Sequence, residues 1–251
     1  MDRHLQGVLT KERFDAVLFD LDGVLTDTAK VHAICWKKMF DEFLQLRAEG
    51  EPFAPFDLDA DYRRYVDGKP RYEGVRDFLA SRGIELPQGD PAESPNWETV
   101  SGLGNRKNEL INEVLAAEGV EVYERSVALV RQLRDRGFRT AVVSSSKNCE
   151  AILRTAGISD LFEVRVDGET AVREHLAGKP APDTFLRAAM LLDTGPQRAV
   201  VVEDAISGVR AGRAGGFGLV IGVDRHDDAE VLLAGGADIV VADLGDLLSR
   251  F

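Results

Sequence analysis

The chain has 251 residues, 44% of them hydrophobic, and a formal net charge of −12 at pH 7. This length suits one large domain or two small ones with a well-filled core. The negative charge argues against binding to nucleic acid, which requires clustered Lys and Arg. A small phosphorylated substrate remains compatible with it, provided that positive charge is concentrated locally.

Two further features concern the cellular setting. Cys35 and Cys149 both lie in segments with a helical pattern, which favours buried apolar side chains over a disulfide framework or a thiolate metal site. Residues 1–13 are mixed and charged, and no apolar run reaches membrane-spanning length. We therefore expect a cytoplasmic protein with no membrane partner.

The first predicted element is a buried strand over 14–21, which runs into Asp20, Asp22 and Gly23. Side chains alternate along a strand, so the two carboxylates point the same way, and the glycine lets the chain turn. Open α/β sheets bind ligands at this edge. The pair suits a Mg²⁺ site, or a nucleophile beside a general acid/base. Alone, Asp-x-Asp fits a solvated turn equally well.

The next segment, 30–119, is predicted to be helical. It contains amphipathic stretches at 33–47, 71–81 and 105–117 and no strand pattern. Three prolines mark a loop over 86–97, where Trp97 either stacks on a sugar or covers the core. An insert of this size predicts a separate cap, with a core domain at 1–29 and 120–251 and a helical cap domain at 30–119.

Short β-branched runs alternate with helical patterns in the rest of the chain. This alternation predicts an α/β fold, with a doubly wound parallel sheet and an inserted all-helical cap. The strands are predicted at 140–143, 162–166, 199–202, 219–221 and 239–241, and the helices at 126–136, 147–156, 182–192 and 205–215.

Polar residues follow three of these later elements. The run 144–148, Ser-Ser-Ser-Lys-Asn, precedes a helix and suits either an N-cap or a phosphate oxygen. Lys179 precedes Pro180, which restricts it to an extended backbone, although a single lysine is often only a solvated charge. Glu203 and Asp204 precede another helix, which they could simply cap.

In this order, at the ends of successive strands, the motifs resemble those of the haloacid dehalogenase superfamily of phosphotransferases, with its Rossmann-like core. The resemblance implies that Asp20 attacks phosphorus to form an aspartyl phosphate, with Asp22 as general acid/base. It implies Mg²⁺ as cofactor, and phosphoryl oxygens held by Ser144 and Lys179. The implied metal ligands are Asp20, the Asp22 carbonyl, Glu203 and Asp204.

The segment 20–32, with Trp36 and Lys37, is similar to the β-phosphoglucomutase branch of that superfamily. The similarity implies that Arg71 grips a distal phosphate and that His32 couples cap closure to Asp22. Taken singly, such residues are more often solvated charges or hydrogen-bonded helix residues. The implied substrate-binding residues are Thr28, His32, Arg71, Lys107, Asn108, Ser145, Ser146, Lys147 and Asn148. The chain departs from the branch at 122–126, where the usual Pro-Gly is absent, and in its larger cap.

These observations lead to one main functional hypothesis and three alternatives. The main hypothesis is a Mg²⁺-dependent mutase that interconverts hexose 1-phosphate and 6-phosphate, working as a monomer or weak dimer on a sugar phosphate. The nearest alternative is a phosphatase acting on a small phosphomonoester or sugar phosphate. A receiver-like signalling module would not need the helical insert. A glycosyltransferase would leave Lys179 and Glu203-Asp204 unexplained.

Overall fold

The computed structural model describes residues 7–48, 52–225 and 227–248. The chain divides into two compact units. The first, here the α/β unit, consists of Met1–Asp27 and Val120–Phe251. The second, here the helical unit, consists of Thr28–Gly119 and is inserted directly after the first strand and its turn.

The α/β unit is built on a six-stranded parallel sheet, so the predicted fold class is confirmed. Its strand order is β3-β2-β1-β4-β5-β6. The chain therefore winds to one side of β1 and then to the other, and the carboxyl end of β1 lies at the switch point where such sheets bind ligands. The strands are β1 Ala16–Phe19, β2 Arg139–Val143, β3 Val164–Val166, β4 Ala199–Glu203, β5 Leu219–Val223 and β6 Ile239–Val241.

The central strand β1 is apolar on both faces because helices cover the sheet on both sides. All four of its residues are buried. Ala16 and Leu18 belong to the main core cluster together with Val201 of β4 and Phe185. This packing fixes the position at which the chain leaves the sheet, one residue before Asp20.

Helices fill the remaining regular structure of the described residues. Three of the nine α-helices lie in the helical unit and six in the α/β unit. They are α1 Ala29–Arg47, α2 Arg71–Ser81, α3 Val100–Glu118, α4 Glu124–Asp135, α5 Cys149–Thr155, α6 Gly168–Glu174, α7 Asp183–Leu191, α8 Ile206–Ala214 and α9 Ala229–Gly235.

Several predicted boundaries were wrong. Helix α3 begins before residue 105 because Thr99 caps it, its hydroxyl accepting a hydrogen bond from the Gly102 N–H at 2.9 Å. Strand β3 is shorter than predicted, since a 3₁₀ turn over Ser159–Leu161 precedes it. Helices α6 and α9 and a π-helical turn at Tyr62–Val66 were missed. The apolar pattern of a sequence predicts long helices and strands better than it predicts single turns and short elements.

The helical unit has its own aromatic core. The rings of Trp36, Phe40, Phe56 and Phe78 are buried and stacked or tilted on one another, with centroid separations of 4.1 to 5.3 Å. Such pairs add stability beyond the apolar area that they bury. In the described part of the chain, no helix combines the length and apolar character that a membrane span needs.

Candidate active site

The centre of the α/β unit is a buried lysine between two carboxylates. Lys179 is 1% exposed and forms ion pairs with Asp20, which follows β1, and with Glu203 at the end of β4, the latter at 2.6 Å. Its Nζ also donates to the Val143 carbonyl of β2 at 3.0 Å. Three strand ends thus converge on one ammonium group. A solvated surface lysine, the alternative explanation of Lys179, is excluded.

Two glycines make room for the carboxylates. A side chain at Gly208 of α8 would collide with the Glu203 carboxylate, whose other oxygen accepts from the Ala205 N–H at 3.1 Å. A side chain at Gly23 would collide with the Asp204 carboxylate, and Gly23 also has a φ of 83°. Only glycine meets both demands at that turn. The close packing keeps both acids at the end of β1.

These acids fit a divalent cation. Asp20, Glu203 and Asp204 are buried and offer oxygen atoms within 4.8 Å of one another. Burial alone would lower the pKa of Lys179, but Asp20 and then Glu203 raise it above its usual value, so the ammonium form is favoured. Burial, reinforced by Asp20, raises the pKa of Glu203 even though Lys179 opposes the shift. Two of the three carboxylates pair with one ammonium and the third lies beside them, and hard cations such as Mg²⁺ and Ca²⁺ prefer oxygen ligands of this kind.

The loop after β2 places hydroxyl groups at the same sheet edge. Ser144 is 2% exposed, and its Oγ accepts from the Ser146 N–H at 3.1 Å, which leaves its own proton available for donation. The Ser146 Oγ accepts from the Asn148 N–H at 3.1 Å. The Ser145 carbonyl and the Lys147 side chain pack closely against Gly168. The N–H groups of Ser146 and Asn148, in the run that was predicted to suit a phosphate oxygen, therefore donate to hydroxyl groups within the loop.

Asp22 lies in a tight turn between β1 and the helical unit. The turn is closed by hydrogen bonds from the Leu25 and Thr26 N–H groups to the Leu21 carbonyl at 2.9 and 3.0 Å. The Gly23 N–H donates to the Thr26 carbonyl at 2.8 Å. Asp22 is only partly buried, unlike Asp20.

In the helical unit, His32 of α1 and Lys107 of α3 form a buried pair. The Lys107 Nζ lies 2.8 Å from the His32 Nδ1 and 5.0 Å from the centroid of the Trp36 ring. Since an ammonium group can only donate, Nδ1 accepts and the imidazole is neutral. Burial, and then Lys107, lower the pKa of His32 well below its usual value. The alternative in which Lys107 is an ordinary solvated charge is excluded, because the residue is 5% exposed.

Arg71 occupies a second position in the helical unit. Its stem packs near Gly104 of α3, and its guanidinium lies 5.0 Å from the centre of the Tyr72 ring. The Tyr72 hydroxyl donates to the Asn105 Oδ1 at 2.8 Å, and the Asn105 amide donates to the Pro91 and Glu93 carbonyls of the loop 86–97 at 3.1 and 3.0 Å. No carboxylate pairs with Arg71 among the residues that the structure describes. An anionic ligand could supply that charge.

The remaining predicted residues of the helical unit are less informative. Thr28 is buried at the start of α1, where its carbonyl accepts from the His32 N–H at 2.9 Å, and Asn108 follows Lys107 on α3. Trp97 is 63% exposed, so the alternative in which it covers the core is wrong. Cys35 and Cys149 are buried free cysteines, as predicted.

Sequence analysis did not identify three residues that touch these sites. Tyr72 contacts Arg71, Asn105 accepts a hydrogen bond from Tyr72, and Arg225 donates to the Gly23 carbonyl beside Asp22. The contacts of Asn105 with Tyr72 and of Arg225 with Gly23 form no motif in the sequence, because each joins residues far apart in the chain. The one available signal was the departure from the family pattern directly after Tyr123, where the usual Pro-Gly is absent; the ring of Tyr123 lies under Arg225.

The chain is similar to known proteins over most of its length. Residues 14–216 match the family model of haloacid dehalogenase-like hydrolases. Over 242 residues the chain is 52% identical to the β-phosphoglucomutase of Mycobacterium tuberculosis (strain CDC 1551 / Oshkosh), covering 94% of this chain and 92% of that protein. It is 32% identical over 232 residues to the β-phosphoglucomutase of Bacillus subtilis (strain 168), covering 92% and 91%.

The fold also matches a solved structure of β-phosphoglucomutase from Clostridium difficile. The TM-score is 0.73 over 94% of this chain and 93% of that one, at 24% identity. The chain belongs to the haloacid dehalogenase-like hydrolase family. Its relatives place it in the β-phosphoglucomutase branch, which confirms the resemblance found in the sequence.

Proposed function

We propose that this chain is a Mg²⁺-dependent β-phosphoglucomutase, which moves a phosphoryl group between the 1- and 6-positions of a β-hexose through an aspartyl phosphate. One observation supports it most: a buried lysine joins Asp20 to Glu203, with Asp204 beside them, at the switch point of the sheet. Relatives that are up to 52% identical are named β-phosphoglucomutase, and this supports a β-hexose phosphate as the substrate.

In the first half-reaction, an Asp20 carboxylate oxygen attacks a phosphorus atom of the sugar 1,6-bisphosphate, and the bond from that phosphorus to the sugar oxygen breaks, which leaves an aspartyl phosphate and a sugar monophosphate. Asp22 donates its proton to that leaving oxygen. Lys179 and the Ser144 hydroxyl bind oxygens of the transferring group, on which negative charge concentrates. Asp20, the Asp22 carbonyl, Glu203 and Asp204 would hold Mg²⁺, which neutralises charge as carboxylate and phosphate approach each other.

In the second half-reaction the roles of the two aspartates reverse. Asp22 accepts a proton from the other sugar hydroxyl, whose oxygen attacks the aspartyl phosphate and regenerates Asp20. A sugar bisphosphate must then be retained while it turns around, which calls for a second cationic group. We assign that role to Arg71, whose charge has no carboxylate partner in the described residues. Lys107, Asn108 and the loop 145–148 would complete the contacts.

The assay that tests this proposal supplies β-glucose 1-phosphate, Mg²⁺ and a trace of the 1,6-bisphosphate. A mutase accumulates glucose 6-phosphate. A phosphatase of the same family releases inorganic phosphate and forms little of the isomer, and that outcome would overturn the assignment. Arg71→Ala sharpens the test, because it should impair the mutase reaction far more than the hydrolysis of a simple phosphomonoester. The exposed Arg47, paired with Glu98, is the matched control.

A further inference from the structure

The turn that carries Asp22 is tied to the rest of the α/β unit by one arginine. The Arg225 Nε donates to the Gly23 carbonyl at 2.7 Å. Gly23 is the residue after Asp22 and the one whose missing side chain lets Asp204 approach. A shift of this peptide would therefore move Asp22 and disturb the packing of Asp204. Arg225 follows β5, more than 200 residues away in the chain.

The guanidinium itself is held firmly. Its central carbon lies 3.8 Å from the centre of the Tyr123 ring, and Nη1 lies 3.4 Å from the Ala242 carbonyl. The Tyr123 hydroxyl donates to the Asp27 Oδ1 at 2.8 Å, and its N–H donates to the Leu25 carbonyl at 2.9 Å. The contacts thus run from the turn through Arg225 and Tyr123 and back to the turn.

Charge pairing does not explain this arrangement. Within residues 7–48, 52–225 and 227–248, Arg225 forms no ion pair with a carboxylate. Its Nη2 is buried and donates to none of them. Leaving a buried donor unsatisfied costs free energy. The guanidinium thus lies over an aromatic ring, and its shortest hydrogen bond goes to a backbone carbonyl, that of the residue after Asp22.

We infer that Arg225, stacked on Tyr123, is a positioning residue that holds the Asp22–Gly23 peptide so that Asp22 reaches the oxygen to be protonated. This inference rests on the proposed role of Asp22 as general acid/base. It is independent of whether the acceptor is a sugar or water, because both half-reactions use the same proton transfer. Small misplacements of a catalytic group of this kind can lower a rate by about 10²-fold.

The test compares leaving groups. Rapid-mixing kinetics measure the first transfer of a phosphoryl group to Asp20 from each of two phosphomonoesters, a hexose phosphate and p-nitrophenyl phosphate. A sugar alkoxide needs a proton to leave, whereas nitrophenolate does not, so only the former reaction depends strongly on Asp22. We expect Arg225→Ala to slow the hexose reaction by about 10²-fold and the nitrophenyl reaction by less than about threefold. Arg225→Lys, which keeps a donor but loses the planar stack, should fall between.

Controls separate positioning from general damage. Arg213→Ala removes an arginine that also donates to a carbonyl, that of Gly236 at 3.1 Å, and should slow neither reaction. In an Asp22→Asn background, Arg225→Ala should have no further effect on the hexose reaction. If Arg225→Ala yields no folded protein, Tyr123→Leu removes the stacking ring and is expected to show the same selectivity for the hexose substrate.

Two results would overturn the inference. One is an equal loss with both substrates, or losses from Asp22→Asn and Arg225→Ala that multiply, because a merely structural role predicts both. The other is an Asp22→Asn variant without leaving-group selectivity, which would remove the acid/base role and this inference with it. Failure of the mutase assay alone, with selectivity preserved, would overturn the proposed substrate and leave the positioning role supported.

Discussion

The two units bury charge in different ways. In the α/β unit Lys179 pairs with Asp20 and Glu203, and Asp204 lies close to these two acids, so carboxylates outnumber the ammonium group at this centre. In the helical unit the buried Lys107 faces a neutral imidazole and an indole ring, and Arg71 has no acidic partner in the described residues. The first arrangement suits a cation and the second suits anions.

The largest expected effect comes from removing the nucleophile. Asp20→Asn should lower turnover by at least about 10⁴-fold, because no other group can accept the phosphoryl group. Substrate binding should persist, since the cationic groups remain. Steady-state kinetics and calorimetric titration with the sugar phosphate measure the two quantities. Near-normal turnover by a folded Asp20→Asn protein would place the chemistry elsewhere.

The next prediction contrasts the charge centre with the aromatic core. Lys179→Met leaves Asp20 and Glu203 buried without their counter-charge and should destabilise the protein by about 3–5 kcal/mol. Phe78→Ala, which opens a cavity among stacked rings, should cost about the same. Mg²⁺ should recover part of the stability of the Lys179 variant and none of that of the Phe78 variant, as measured by urea unfolding. Equal responses to Mg²⁺ would contradict a metal site at Asp20.

A smaller effect is expected at Gly104, behind Arg71. A methyl group there would lie 2.7 Å from the Tyr72 ring and 3.3 Å from the Arg71 stem, so both side chains must shift. Gly104→Ala should raise KM for the sugar phosphate by about tenfold and leave kcat within about twofold. The double variant with Arg71→Ala should be no worse than Arg71→Ala alone. Additive losses would show that Gly104 acts by another route.

The smallest prediction concerns pH and the His32–Lys107 pair. The unfolded chain binds a proton at His32 below pH 6.5, the ordinary pKa of the group, whereas burial lowers the pKa in the folded state. Stability should therefore fall as pH drops below 6.5, by about 1.4 kcal/mol at pH 5.5 from this residue. His32→Asn should flatten that slope in urea titrations, while the exposed His175→Asn should not. An unchanged slope in His32→Asn would mean that His32 is protonated when folded.

Sequence analysis predicted the core of the site because its chemistry follows strand ends. In a parallel sheet the carboxyl ends of the strands meet at one edge, which predicts that Asp20 and Glu203 lie together, whereas Lys179, in the loop between α6 and α7, was assigned to the site through the resemblance to the family. The supports of the site could not be predicted. The contact of Arg225 with Gly23, and that of Asn105 with Tyr72, depend on side-chain directions that no local pattern encodes. For Lys107 the sequence left a solvated helix charge open beside the binding role that the resemblance implies, and the structure shows that the residue is buried.

The central claim is that Asp20 carries the phosphoryl group during the reaction. The direct measurement is rapid acid quenching of the enzyme during turnover with Mg²⁺ and labelled hexose bisphosphate, followed by peptide mapping. We predict label on the peptide containing Asp20, formed and lost at rates that account for turnover, and none in Asp20→Asn. A protein that turns over without becoming labelled, or that is labelled at another residue, would contradict it.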